Sequence, residues 1–164
     1  MQTVIPLSSF PATDRVGLYS RVPYSFKKAN GSAGGGASSA EAPRIILVVD
    51  DDANNLELAK ALLGAEGFDV RTATGAIAMF EVLKDCDPAL ILMDIQLPGM
   101  DGWELTRRLK HNVITSHIPV IALTAYGRSG DDERAREIGF ADFIAKPLST
   151  RELPKIVRKH LGVE

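Results

Sequence analysis

Four stretches of this chain each run into a residue able to do chemistry. Ile45–Val49 runs into Asp50-Asp51-Asp52, Leu90–Met93 into Asp94, Pro119–Leu123 into Thr124-Ala125, and Asp142–Ala145 into Lys146-Pro147. Two carboxylates about 4 Å apart repel by roughly 4 kcal/mol at an effective dielectric of 20. A convergence of three therefore needs a cation, a raised pKa, or both. Oxygen-only donors select a hard metal, and Mg²⁺ held by a couple of carboxylates, several waters and a phosphate is the usual solution. The remaining residues suit a phosphoryl group: Lys146 as a point charge, Thr124 as a hydroxyl donor and Ala125 through its backbone N–H. A carboxylate can itself accept that group as an acyl phosphate. Asp94 has the position for this, because it ends a continuous apolar run just before the chain breaks at Gln96-Leu97-Pro98-Gly99-Met100-Asp101-Gly102.

Such convergence requires elements that bring the four stretches to one edge. From Pro43 onward, strand and helix signals alternate at short spacing. Strands are expected at Arg44–Val49, Phe68–Thr72, Leu90–Asp94, Pro119–Thr124 and Asp142–Lys146. Helices are expected at Asn54–Ala65, after a cap at Thr74, at Trp103–His111, and at Asp131–Ile138 closed by Gly139. The last helix opens with the capping box Ser149-x-x-Glu152, and Pro154 in its first turn is expected to cost one hydrogen bond. Leu90–Asp94 is apolar without alternation, as strands covered on both faces are. Five strands interleaved with five helices predict a doubly wound (βα)5 domain of the α/β class, a three-layer sandwich around a five-stranded parallel sheet. In a parallel sheet the carboxyl ends lie on one edge, where open α/β folds keep their ligand chemistry.

Composition narrows the function further. A chain of 164 residues, 45% hydrophobic and 24% charged, makes one ordinary domain with room for one short extra segment. Residues 1–42 carry four basic and two acidic side chains, net +2, and lack periodicity. They include the flexible-linker composition of 31–40 and are expected to form a disordered tail and linker. Residues 43–164 hold 15 basic and 19 acidic residues, net −4, which gives no nucleic-acid footprint. The lone Cys86 fits a reducing compartment, no run approaches the ~18 apolar residues of a membrane span, and a cytoplasmic location is expected. Trp103 is read either as packing at the start of the third helix or as contacting a partner. His111, His117 and His160 have no ligand spacing and are read as surface or loop residues.

Ile46-Leu47-Val48-Val49-Asp50-Asp51, Leu92–Gly102, Ile118–Ala125 and Lys146-Pro147 resemble the receiver domain of two-component response regulators, the CheY-like, flavodoxin-like fold. The resemblance covers about residues 43–163 and places the receiver domain at 43–164. It implies the strand order 2-1-3-4-5 and a cis Lys146–Pro147 bond. By residue, it implies Asp94 as phosphoacceptor, Asp51 as a direct Mg²⁺ ligand, Asp50 reaching the metal or its water, and the Gln96 carbonyl as backbone ligand. Thr124, Ala125 and Lys146 would hold the phosphoryl group, and Thr124 with Phe143 would form the switch. Asp52 is expected to be a solvated helix-cap acid. The implied partners are a histidine kinase or histidine phosphotransfer protein, and a downstream protein on the face of helix four, strand five and helix five. The only catalysis implied is of the domain's own phosphorylation and dephosphorylation, and a stand-alone receiver is expected, or a module of a larger hybrid. Two other classes compete. One is a Mg²⁺-dependent hydrolase of haloacid-dehalogenase type, suggested by Asp50-x-Asp52 although Asn54 departs from that motif. The other is a receiver-like binding module that is never phosphorylated.

Overall fold

Runs of Ile, Leu and Val too apolar to leave either face in water form the centre of the sheet. The computed structural model describes residues 43–125 and 132–163; segment 1–42 and Asp131 lie outside the described residues. In chain order the elements are β1 Ile45–Val49, α1 Ala53–Ala65, β2 Asp69–Ala73, α2 Ala76–Asp85, β3 Leu90–Asp94, α3 Gly102–His111, β4 Val120–Thr124, α4 Asp132–Ile138, β5 Phe140–Ala145 and α5 Glu152–Leu161. All strand pairs are parallel and the order is β2-β1-β3-β4-β5, as expected. β3 and β4 are buried along their whole length, whereas the edge strand β2 exposes Arg71 and Thr72.

Strand alternation divides the core between two layers. Ile46, Val48, Leu92, Ile121 and Leu123 cluster with Leu56, Ala59 and Leu63 of α1 and Leu153 and Val157 of α5. On the other face, Leu47, Ile91 and Met93 are fully buried, as are Met79 of α2 and Leu105 of α3. The chain crosses the sheet at the switch between β1 and β3, so the ends of β1, β3, β4 and β5 meet over one edge.

Three local expectations are corrected. Thr74 is exposed and does not cap α2; that helix starts after Gly75, whose carbonyl accepts the Met79 N–H at 2.9 Å without any side-chain cap. β5 begins at Phe140 rather than Asp142. Val120 pairs with Phe140 and Ile121 with Asp142, so Ala141 is bulged out and Phe140 stays in the sheet, buried edge-on against Trp103 with ring centroids 5.3 Å apart. Pro154 costs no hydrogen bond, because it lies in the first turn of α5 where N–H groups lack intrahelical partners. Ser149 does serve as an acceptor there, its hydroxyl taking the Glu152 N–H at 3.2 Å.

The loop after β3 is fixed by a close approach. Asp101 caps α3 by accepting the Glu104 N–H at 2.8 Å, and Gly99 takes a left-handed φ of 84°. A Cβ on Gly102 would lie 2.2 Å from the Asp94 carbonyl oxygen and 2.7 Å from the Ile95 Cα. Both obstacles are backbone and cannot yield as a side chain would. Gly102→Ala is therefore expected to destabilise the fold by about 2 kcal/mol, measured by denaturant unfolding, through displacement of the strand end that carries Asp94.

Candidate functional site

β1 ends on Asp50, which has no solvent exposure. Its Oδ1 accepts the Asp52 N–H at 2.9 Å, while its Oδ2 accepts from Asn55 Nδ2 at 3.1 Å and lies 2.7 Å from Lys146 Nζ. The neighbouring strand end carries Asp94, 3% exposed. Its Oδ1 accepts the Gln96 N–H at 2.9 Å and its Oδ2 accepts from Lys146 Nζ at 2.8 Å. Lys146 thus bridges two buried carboxylates. Burial pulls the Lys146 pKa down, but the hydrogen bonds it donates to Asp50 and Asp94, with their charges, outweigh it and raise the ammonium above its ordinary value. Lys146 stays charged through the neutral range.

The acids converge as the sequence suggested. One oxygen from each of Asp50, Asp51 and Asp94 lies within 4.8 Å of the others, and Asp51 is exposed. An all-oxygen set with one solvent-facing member fits a hard divalent cation that keeps several waters. Asp52 stands apart: its side chain accepts the Asn54 N–H at 2.8 Å and caps α1, as expected of a helix-cap acid. This weakens the paired-aspartate hydrolase reading, in which both members of Asp50-x-Asp52 would have to reach the reacting atom.

β4 and β5 bring the remaining residues. Thr124 is buried at the end of β4, its carbonyl accepts the Lys146 N–H at 2.7 Å, and Ala125 follows it in an exposed bend. The Lys146–Pro147 bond is cis, in keeping with the resemblance. Phe143 is half-buried on β5, its ring 6.0 Å from that of Phe140. Beside it opens a cavity of about 510 Å³ that also touches Thr124, Ile156, Lys155 and Lys159. Gln96 turns its backbone N–H toward Asp94 and leaves its side chain exposed.

Some partners were not found from the sequence. Asn55 gave no motif signal, although its place five residues after Asp50, in the first turn of the helix that follows, puts it within reach. Trp103 packs, as one of the two readings held, but it also carries the Arg134 guanidinium 4.8 Å above its ring. His160 is not a surface or loop residue; it sits half-buried in α5 with Nε2 3.0 Å from Asp142 Oδ2. Burial pushes the Asp142 carboxyl up, but the His160 hydrogen bond, the Phe143 N–H and the Lys159 charge together hold it below its ordinary value.

The response regulator receiver domain family matches residues 46–158. The polar-differentiation response regulator DivK of Brucella anthropi is 39% identical over 121 residues, covering 73% of this chain and 98% of its own. The receiver domain of the sensor histidine kinase PA1611 from Pseudomonas aeruginosa, solved with a magnesium ion coordinated in its active-site cleft, is 32% identical with a TM-score of 0.66 and covers 74% of this chain and 99% of its own. The chemotaxis protein CheY4 of Vibrio cholerae, 20% identical, shares the fold with a TM-score of 0.68 over 72% of this chain and 98% of its own. Among the described residues no helix is long and apolar enough to cross a membrane.

The depressed Asp142 pKa sets a pH dependence. Its stabilisation is complete above the unfolded carboxylate value, about 3.9, and is lost as pH falls through the lower folded value. Asp142→Asn is expected to lower stability by about 1 kcal/mol at neutral pH. Thermal melting of both proteins across pH checks this, with the gap to wild type narrowing below about pH 4.

Proposed function

The chain belongs to the response regulator receiver family, and we propose that Asp94 is the residue on which it takes a phosphoryl group from a histidine kinase or histidine phosphotransfer protein. The supporting observation is the division of labour among the acids. Asp50 is sealed from solvent with its oxygens already holding three donors, and Asp51 is exposed and has no lysine partner among the described residues. Asp94 ends the central strand β3 with one oxygen on a backbone N–H and the other on Lys146, and it lacks the third donor, Asn55, that Asp50 holds. In the transfer, an Asp94 oxygen bonds to phosphorus as the donor's P–N bond breaks, and the imidazole leaves with the nitrogen's electron pair.

In this reading Asp51, Asp94 and the Gln96 carbonyl would hold Mg²⁺, with Asp50 reaching it directly or through water, and the bound ion would supply positive charge against the phosphoryl oxygens. Lys146 supports a second oxygen, and the Thr124 hydroxyl with the Ala125 N–H supports a third. The chemistry is confined to the domain's own phosphorylation and dephosphorylation, and the protein works in the cytoplasm. Phosphorylation is read by a protein partner on the face of α4, β5 and α5. The cavity that touches both Thr124 and Phe143 supports that choice, since it leaves room for a ring to turn. Residues 43–164 carry these properties, and 1–42 act as a tail and linker.

Three outcomes follow. Incubated with Mg²⁺ and a small acyl phosphate donor, the protein is expected to gain one phosphate by intact mass; a gain in Asp94→Asn would overturn the assignment. Asp51→Ala is expected to weaken Mg²⁺ binding by at least about tenfold, the scale seen for outer partners of metal ligands, while Asp52→Ala stays near wild type in the same titration. Deletion of residues 1–42 is expected to leave the mass gain and the melting temperature unchanged, and a lowered melting temperature would contradict it.

A further inference from the structure

Asn55 belongs to the first turn of α1 and contacts neither Asp94 nor Lys146 among its recorded hydrogen bonds, yet it donates its amide to the most deeply buried acid of the site. Asp50 Oδ2 receives two donors, Asn55 Nδ2 at 3.1 Å and Lys146 Nζ at 2.7 Å, and the same Lys146 nitrogen reaches Asp94 Oδ2 at 2.8 Å. These two donors come from different elements, the first turn of α1 and the residue that follows β5. Their demands differ once Asp94 is phosphorylated. On the reading of Asp94 as acceptor, the phosphoryl oxygens would lie beyond the original carboxylate, and a Lys146 that turned toward them would loosen its hold on Asp50. Asp50 Oδ2 would then lose its charged donor with no water to replace it, and a buried acceptor left without a donor is unfavourable.

Asn55 answers that difficulty in a way a charged residue could not. Its amide satisfies the Oδ2 lone pair from an element that does not follow Lys146. Being neutral, it leaves the negative charge of Asp50 available to a cation. An Arg or Lys at this place would satisfy the same oxygen but cancel the charge that Asp50 offers to Mg²⁺.

We propose that Asn55 is a positioning residue, which holds the Asp50 carboxylate in its orientation toward the cation and keeps it satisfied when Lys146 moves to the phosphoryl group. This rests on the reading of Asp94 as acceptor and Asp51 as cation ligand. In the unphosphorylated, metal-free protein Lys146 still holds Asp50, so the loss of Asn55 bears mainly on the loaded states. A purely structural asparagine would behave in the opposite way, lowering the melting temperature of the metal-free protein and leaving the Mg²⁺ affinity of the folded molecules alone.

The test uses the full chain and calorimetric titration with MgCl₂ at fixed pH and ionic strength, with the melting temperature of the metal-free protein and the lifetime of the phosphorylated form by intact mass. Asn55→Leu and the smaller, helix-compatible Asn55→Ala both remove the donor. Each is expected to weaken Mg²⁺ binding about tenfold and to shorten the phosphorylated lifetime, with little change in metal-free melting. Asn55→Gln, which keeps a neutral amide, is expected to recover part of the affinity, whereas Asn55→Lys is not. Affinities within twofold of wild type in both Leu and Ala variants would overturn the proposal, as would a weakening that Gln fails to relieve. A wild-type protein that binds no Mg²⁺ and takes no phosphate overturns the reading of Asp94 and Asp51 instead, so the two failures are distinguishable.

Discussion

One ammonium group shared between two carboxylates governs this structure. Asp50 and Asp94 are 0% and 3% exposed, and Lys146 lies 2.7 and 2.8 Å from their nearer oxygens. Removing Lys146 would leave two carboxylates facing each other in a poorly hydrated place, and breaking a buried pair in this way costs several kcal/mol. The fold can tolerate the cluster because its other lone pairs are met by backbone N–H groups of Asp52 and Gln96, each two residues beyond the carboxylate it serves. Those short hydrogen-bonded turns form where a strand ends and the chain must change direction, so the same geometry that terminates β1 and β3 also anchors their acids.

The charge count at this edge remains incomplete without a further cation. Three carboxylates converge and a single lysine serves two of them, so the local sum is negative even with Lys146 fully charged. The exposed Asp51 carries the uncompensated charge at the solvent side, where a hydrated ion can approach without stripping its water. The arrangement is asymmetric in a useful sense. The buried members are positioned by the sheet and do not depend on an ion for orientation, while the exposed member retains freedom to adapt to one. An ion that enters therefore meets a largely preformed site and gives up little to reorganisation.

Most of this was legible in the sequence because the relevant signals are local. A buried parallel strand announces itself by an unbroken apolar run, and Leu90–Asp94 was read with its observed limits. The gathering of Asp50, Asp94, Thr124 and Lys146 followed from parallel topology alone, since each ends a strand. What escaped reading depends on partners distant in sequence. The start of β5 was misplaced because Phe140 is held in the sheet by Trp103, 37 positions earlier, a contact no window around Phe140 contains. His160 carries no local signal of its role, because its partner Asp142 lies on another element, 18 residues away. Thr74 has the right side chain for a cap, but Gly75 intervenes and takes the position in its place. Asn55 is the instructive case, being local in sequence yet silent, because an asparagine in a first helical turn is ordinary unless the acid it faces is known to be buried.

The energetics of the proposed readout are modest, and the structure has an element soft enough to match them. α4 is seven residues long, well below the ~12–15 needed for an isolated helix to persist in water, so it depends on what it packs against. Of its described side chains only Ala135 is fully buried, and the other contact of note is Arg134 over Trp103, a cation–π pair worth about 0.5–1 kcal/mol at an exposed site. A tenfold change in affinity for a partner on this face requires only about 1.4 kcal/mol of differential stabilisation. A hydrogen bond from Thr124 to a phosphoryl oxygen falls in the range of about 1.5–3 kcal/mol for bonds to charged groups. In the proposed switch, the interaction gained at the acid site would be of the same order as the cation–π contact that helps hold α4. A switch built on these parts would need no large rearrangement of the core, since a short helix beside the buried sheet would be the element that changes its preference.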